Sequence, residues 1–133
     1  MRNYEFACLT EQNLKSYVDQ ILFDLRADLD ITQESLIHYS LYLAIWEILL
    51  NIVSHNQSQT DHHVLVRISW TEDEIMIQIE DPDGDFDWKT CLLADLPTPD
   101  QSTGRGLFIV KTISKEFSFE DCGKIARILF DRS

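Results

Sequence analysis

Trp46-Glu47-Ile48-Leu49-Leu50-Asn51-Ile52-Val53-Ser54-His55-Asn56 is an apolar run with a polar side chain at every fourth position. At that spacing Glu47, Asn51 and His55 share one stripe of a helix. A carboxylate and an amide inside a closed core would cost free energy, so the stripe reads as the lining of a cavity. The competing reading is an exposed stripe on a surface helix. Ile45, Trp46, Ile48, Leu49, Leu50, Ile52 and Val53 leave little room for it. Two further segments supply walls for the cavity. Asp81-Pro82-Asp83-Gly84-Asp85-Phe86-Asp87 closes a strand, and Gly104-Arg105-Gly106-Leu107-Phe108-Ile109-Val110 opens a helix. The three segments describe a nucleotide pocket between helices and one face of a sheet.

Each segment carries its own chemistry. The oxygen of Asn51 suits Mg²⁺, which takes hard ligands and keeps waters beside substrate phosphates. Glu47, one turn earlier, is placed to accept a proton from an attacking hydroxyl or water near the γ-phosphate. Asp81 ends a strand of isoleucines, where its carboxylate can accept a hydrogen bond from an adenine amino group. Asp83, Asp85 and Asp87 imitate a calcium loop by spacing alone. Phe86 stands where that loop needs glycine and Leu92 where it needs glutamate, so calcium is excluded. Ser102-Thr103-Gly104-Arg105-Gly106 precedes a helix, whose N-terminal N–H groups can face phosphate. The segment lacks both the P-loop and the Rossmann spacing. His38, His62 and His63 have no metal-ligand spacing, and nothing beside Cys91 activates it.

Outward from these segments the chain reads as alternating strands and helices. Residues 3–9 form a first, edge strand. Thr10 caps a helix in which Leu14, Tyr17, Val18, Ile21, Leu22 and Leu25 follow amphipathic spacing, and Asp28-Leu29-Asp30 breaks it. Thr32 caps a longer helix running from about Gln33 to about His55, followed by a polar loop over 56–61. Val64, Val66, Ile68 and Trp70, then Ile75, Ile77 and Ile79, alternate with their neighbours as an antiparallel hairpin turning at Thr71–Glu74. Residues 82–103 hold all three prolines and read as a functional loop or lid, with a short helix near Trp88–Ala94. A helix over about Gly104–Lys115 and strands near Phe117–Asp121 and Ile125–Asp131 complete the order β-α-α-β-β-loop-α-β-β. That is an α+β two-layer sandwich with helices on one face of a mixed, mostly antiparallel sheet.

The 133 residues form a single domain over 1–133, with 44% hydrophobic and 26% charged residues as in soluble globular proteins. The net charge of −12 is large for this size. It opposes direct nucleic-acid binding and anionic membranes, and favours a basic protein surface or simple solubility. Cys8, Cys91 and Cys122 follow no framework spacing, which fits reduced thiols. The N-terminus lacks signal-peptide features, and no uninterrupted apolar run reaches the ~18 residues of a membrane span. The expected compartment is the cytoplasm.

The order of motifs resembles that of the GHKL-type ATPases, the superfamily of gyrase, MutL and histidine kinases. Glu47-x-x-x-Asn51-x-x-x-His55 resembles the N-box, Asp81 with Gly84 the G1 box, and Gly104-x-Gly106-Leu107 the G2 box. Length and motif placement are most similar to the stand-alone bacterial anti-sigma factor serine-protein kinases of the RsbW and SpoIIAB type. The resemblance implies a Bergerat ATP-binding fold using ATP and Mg²⁺. In it Asn51 holds Mg²⁺, Glu47 is the catalytic base and Asp81 selects adenine. The backbone at Gly104 and Gly106 holds phosphates, while His55, Gly84, Thr103, Arg105 and Leu107 complete the nucleotide-binding set. Such kinases phosphorylate a serine on a STAS-domain anti-anti-sigma partner and, in the other partner state, inhibit a sigma factor; a homodimer is left open. Two positions depart from the pattern. Asp83 stands where the family has glycine, and Gly123-Lys124 where it has Gly-Thr. Both weaken adenine recognition without touching Glu47 or Asn51. The alternative is therefore a catalytically weak or nucleotide-free partner-binding module of the same fold. No phosphoacceptor helical hairpin precedes the N-box, which counts against a sensor histidine kinase.

Overall fold

Alternation along the strands and apolar stripes along the helices translate into two layers. The structure, a computed structural model, describes residues 1–55, 63–82, 102–120 and 124–132, with only the backbone of His55 and residues 102–105. The elements run β1 (Arg2–Phe6), α1 (Glu11–Leu29), α2 (Leu36–His55), β2 (Val64–Trp70), β3 (Glu74–Glu80), α3 (Ser102–Ile113), β4 (Glu116–Glu120) and β5 (Ile125–Asp131). The expected 88–94 helix, the 56–61 loop and most of the expected lid lie outside the described residues. The sheet order is β1-β2-β3-β5-β4, and every described pairing is antiparallel.

Register explains why one sheet face is dry. Ile77 of β3 pairs with Ile68 of β2 and Ile128 of β5, and Ile79 pairs with Val66 and Ala126. These residues fall on one face by the two-residue strand repeat and are all buried, with Val64, Ile75 and Phe130 beside them. Each of these valine, isoleucine and phenylalanine side chains contributes about 1.5–3 kcal/mol on burial. Leu14, Val18, Ile21, Leu22 and Leu25 of α1 and Leu41, Ile45, Ile48, Leu49 and Ile52 of α2 join them in one core. On the opposite face, Glu5, Arg67, Gln78, Arg127 and Glu120 are exposed or half-buried.

Local chemistry sets the helix ends. The Thr10 Oγ1 accepts from the Asn13 N–H at 3.3 Å while the Asn13 side chain accepts from the Thr10 N–H at 2.8 Å, a reciprocal capping box. α1 ends at Asp30, whose φ of 53° is left-handed, at the break expected from Asp28-Leu29-Asp30. The expected cap of α2 is corrected: Ser35, not Thr32, occupies it. Ser35 Oγ accepts from the His38 N–H at 3.3 Å, while the Thr32 carbonyl receives the Ser35 N–H at 3.2 Å in the preceding turn. β1 is shorter than expected, because the chain leaves the sheet after Phe6 and Cys8 takes a φ of 65°.

α2 is the central helix, packed between α1 and α3. Over Leu36–Ser54 its mean hydropathy is 1.6, so by length and composition it is apolar enough to cross a membrane, although no uninterrupted apolar run is that long. In this fold 56% of that window is buried inside the protein.

Candidate functional site

Glu47 and Asn51 come from consecutive turns of α2, and α3 closes over them. Asn51 is 6% exposed, and its Nδ2 donates to the Glu47 carbonyl at 2.8 Å. That bond engages the amide nitrogen; the other end of the side chain, Oδ1, is a hard oxygen donor. The Glu47 carboxyl is half-buried, and burial pushes its pKa up from the ordinary carboxylate value. A carboxylate in such surroundings is a better proton acceptor than a solvated one.

Gly106 is buried in the second turn of α3 and faces this pair. A Cβ at Gly106 would overlap Glu47 Oε2, lie 3.3 Å from Glu47 Cδ and 3.4 Å from Asn51 Nδ2. Only glycine lets α3 approach the carboxyl so closely. Sequence reading placed Gly106 at the phosphates and missed this contact. In a helix starting at Ser102 the first N–H groups lack intrahelical partners, whereas the fifth residue, Gly106, has Ser102 as its i−4 acceptor. The helix also begins two residues before the expected Gly104. Thr103, Gly104 and Arg105 therefore sit in the first turn, described by their backbone alone.

Asp81 follows the last residue of β3 and is 3% exposed. By strand alternation it continues the Ile75-Ile77-Ile79 face, toward the helices. Its N–H donates to the Lys124 carbonyl at 2.8 Å, extending the β3–β5 ladder one step beyond Glu80 and Ile125. Lys124 thus supports Asp81 through its backbone, a contact that side-chain identity does not reveal. Leu107 is 1% exposed and belongs to the core cluster. His55 ends α2 and is described by its backbone. Gly84 lies outside the described residues.

Among the described residues no three His, Cys, Asp or Glu side chains group as a metal site. A cation at Asn51 would take the amide oxygen together with oxygens of substrate and water, the manner in which Mg²⁺ is held beside phosphates. The donor chemistry of Asn51 fits that ion.

The chain belongs to the histidine kinase-like ATPase domain family, whose model matches residues 15–130. The match runs from α1 through β5 and contains all three segments of the site. Members of this GHKL-type family bind ATP, usually with Mg²⁺. No curated protein matches the chain.

Proposed function

We propose that the protein is an ATP- and Mg²⁺-dependent protein-serine kinase of the anti-sigma type. Its phosphate acceptor is a STAS-domain anti-anti-sigma protein, and a sigma factor is its second partner. The observation that carries this reading is the half-buried Glu47 carboxyl, one helical turn from the hydrogen-bonded Asn51 amide and closed over by Gly106. Phosphoryl transfer needs positioning and charge neutralisation more than covalent chemistry, which suits so sparse a site. Asn51 holds Mg²⁺ through Oδ1, and the ion, when bound, neutralises phosphate charge. Asp81 receives the adenine amino group, and the free N–H groups at the start of α3 receive phosphate oxygens. Glu47 takes the proton of the acceptor serine as that oxygen bonds to the terminal phosphorus and the bond to ADP breaks. The new phosphate then adds charge to the partner interface and loosens it.

A second reading, a partner-binding module with weak or no nucleotide affinity, draws on Asp83 and Lys124. One puts a carboxylate where the family has glycine, and the other removes a threonine hydroxyl beside the adenine aspartate. Incubation with γ-labelled ATP, Mg²⁺ and a STAS-domain protein decides between them. Phosphoserine on the acceptor, lost in Glu47→Gln, supports the kinase; weak or absent ATP binding, with no transfer to acceptor or water, supports the module.

A further inference from the structure

The sheet face turned away from the helices carries an ordered pattern of charge. Register places Glu5, Leu65, Glu80, Ile125 and Glu120 on one row across the strands, so that glutamates alternate with aliphatic side chains. The next row is Asn3, Arg67, Gln78, Arg127 and Ser118, in which an amide separates two arginines. At one end the rows neutralise each other: Arg127 meets both carboxylate oxygens of Glu120, at 3.1 and 3.2 Å. At the other end Glu5 Oε1 lies 3.6 Å from Nδ1 of His63. Arg67 and Glu80, between these pairs, hold diagonal positions on neighbouring strands, within reach of each other. Among the described residues, however, neither makes an ion pair. Both line one cleft of about 420 Å³, together with Glu5, Gln78 and the half-buried Leu65 and Ile125.

We infer that this cleft binds a free α-amino acid with an aliphatic side chain. The charges inside the cleft select the ligand. The Arg67 guanidinium suits a carboxylate, and the Glu80 carboxylate suits an ammonium. A simple anion would face Glu5 and Glu80 as like charges, and a simple cation would face Arg67. A free amino acid carries both charges on one carbon and answers both groups at once. Leu65 and Ile125 stand on either side of Glu80 in its row and offer apolar surface to the aliphatic side chain. The volume of about 420 Å³ falls within the roughly 300–1,000 Å³ of small-molecule sites. The cleft also lies back to back with the candidate nucleotide site. Glu80 directly precedes Asp81, and Ile125 follows Lys124, whose carbonyl accepts the Asp81 N–H at 2.8 Å. Strand alternation sends Glu80 and Asp81 to opposite faces, so a ligand in the cleft bears on the backbone that places the adenine aspartate. That consequence rests on the ATP reading, whereas the binding does not.

The test titrates L-leucine, L-isoleucine and L-valine into the isotope-labelled full chain without nucleotide, following backbone amide shifts. At least one binds saturably at millimolar concentration and moves the amides of Leu65, Arg67, Glu80 and Ile125. Isocaproate and isoamylamine, which keep the leucine side chain and one charge each, bind at least about tenfold more weakly than leucine. Arg67→Gln and Glu80→Gln, both on the open face, each weaken the amino acid by about tenfold or more while circular dichroism stays unchanged. No saturable shift with any of the three, shifts centred elsewhere, equal binding of the singly charged analogues, or indifference to both substitutions overturns the proposal. So does a dimer seen by light scattering that Arg67→Gln dissolves, since a second copy then covers the cleft. ATP binding measured in parallel keeps failure of the cleft separate from failure of the ATP reading.

Discussion

Gly106→Ala is the substitution whose effect the site geometry defines most closely. The new methyl would overlap Glu47 Oε2 and crowd Glu47 Cδ at 3.3 Å and Asn51 Nδ2 at 3.4 Å. The overlapped atom is the far end of a flexible side chain, so the carboxyl gives way before either helix does. Restoring van der Waals contact moves it by roughly 1 Å, a misplacement that costs on the order of 100-fold in rate. That factor equals about 2.7 kcal/mol of barrier. Stability changes little, since alanine is favoured over glycine inside a helix by about 1 kcal/mol and overpacking costs about 1–3 kcal/mol. ADP release from ATP with Mg²⁺ should fall about 100-fold, with ATP affinity within about threefold and thermal midpoint within about 5 °C of wild type. In a Glu47→Gln background, the same glycine substitution should add almost nothing. An unchanged hydrolysis rate in Gly106→Ala, or full additivity with Glu47→Gln, would refute the proposed contact between the glycine and the base.

The remaining expectations follow from the same residues. Asn51→Ala should remove the Mg²⁺ dependence of ATP binding while Glu47→Ala leaves binding intact and abolishes turnover. Equal loss of stability in both variants, with nucleotide binding unaltered, would return the pair to a packing role. Burial raises the Glu47 pKa, so its favourable contribution to stability is present below the unfolded carboxyl value and lost as pH rises through the folded one. Glu47→Gln should therefore be more stable than wild type at neutral pH, by denaturant titration, and lose that advantage in acid. His38 shifts the other way: burial and then Arg26 lower its pKa, so stability is full above about pH 6.5 and falls as pH drops through that unfolded value. His38→Gln should flatten the melting-temperature profile between pH 7.5 and 5.5; an unchanged slope assigns the acid sensitivity elsewhere. Asp83→Gly should tighten ATP binding about tenfold, or about 1.4 kcal/mol, by calorimetry.

Much of the fold was legible because its signals are local. Ile75, Ile77 and Ile79 alternate, and the facing strands alternate in phase, so the hairpin and its dry face followed from period alone. The Thr10 cap was readable for the same reason, the box closing within three residues. The start of α2 was not, because Thr32 and Ser35 are both good caps and only the turn between them decides which hydroxyl meets a free N–H. Glu47 and Asn51 stood out as polar residues in an apolar run. Gly106 did not stand out for its part beside Glu47, since that contact joins helices far apart in sequence. The exposed start of α2 was hidden differently: in a helix apolar all round, period cannot tell the covered side from the open one. Leu36 and Tyr39, which precede the apolar run around Glu47 and Asn51, lie largely in solvent.

Calorimetric titration of the intact chain with ATP, with and without Mg²⁺, addresses the nucleotide site most directly. Saturable binding that Mg²⁺ strengthens is expected, with that strengthening lost in Asn51→Ala and the affinity raised in Asp83→Gly. No measurable binding in the wild type and no rescue in Asp83→Gly would contradict it.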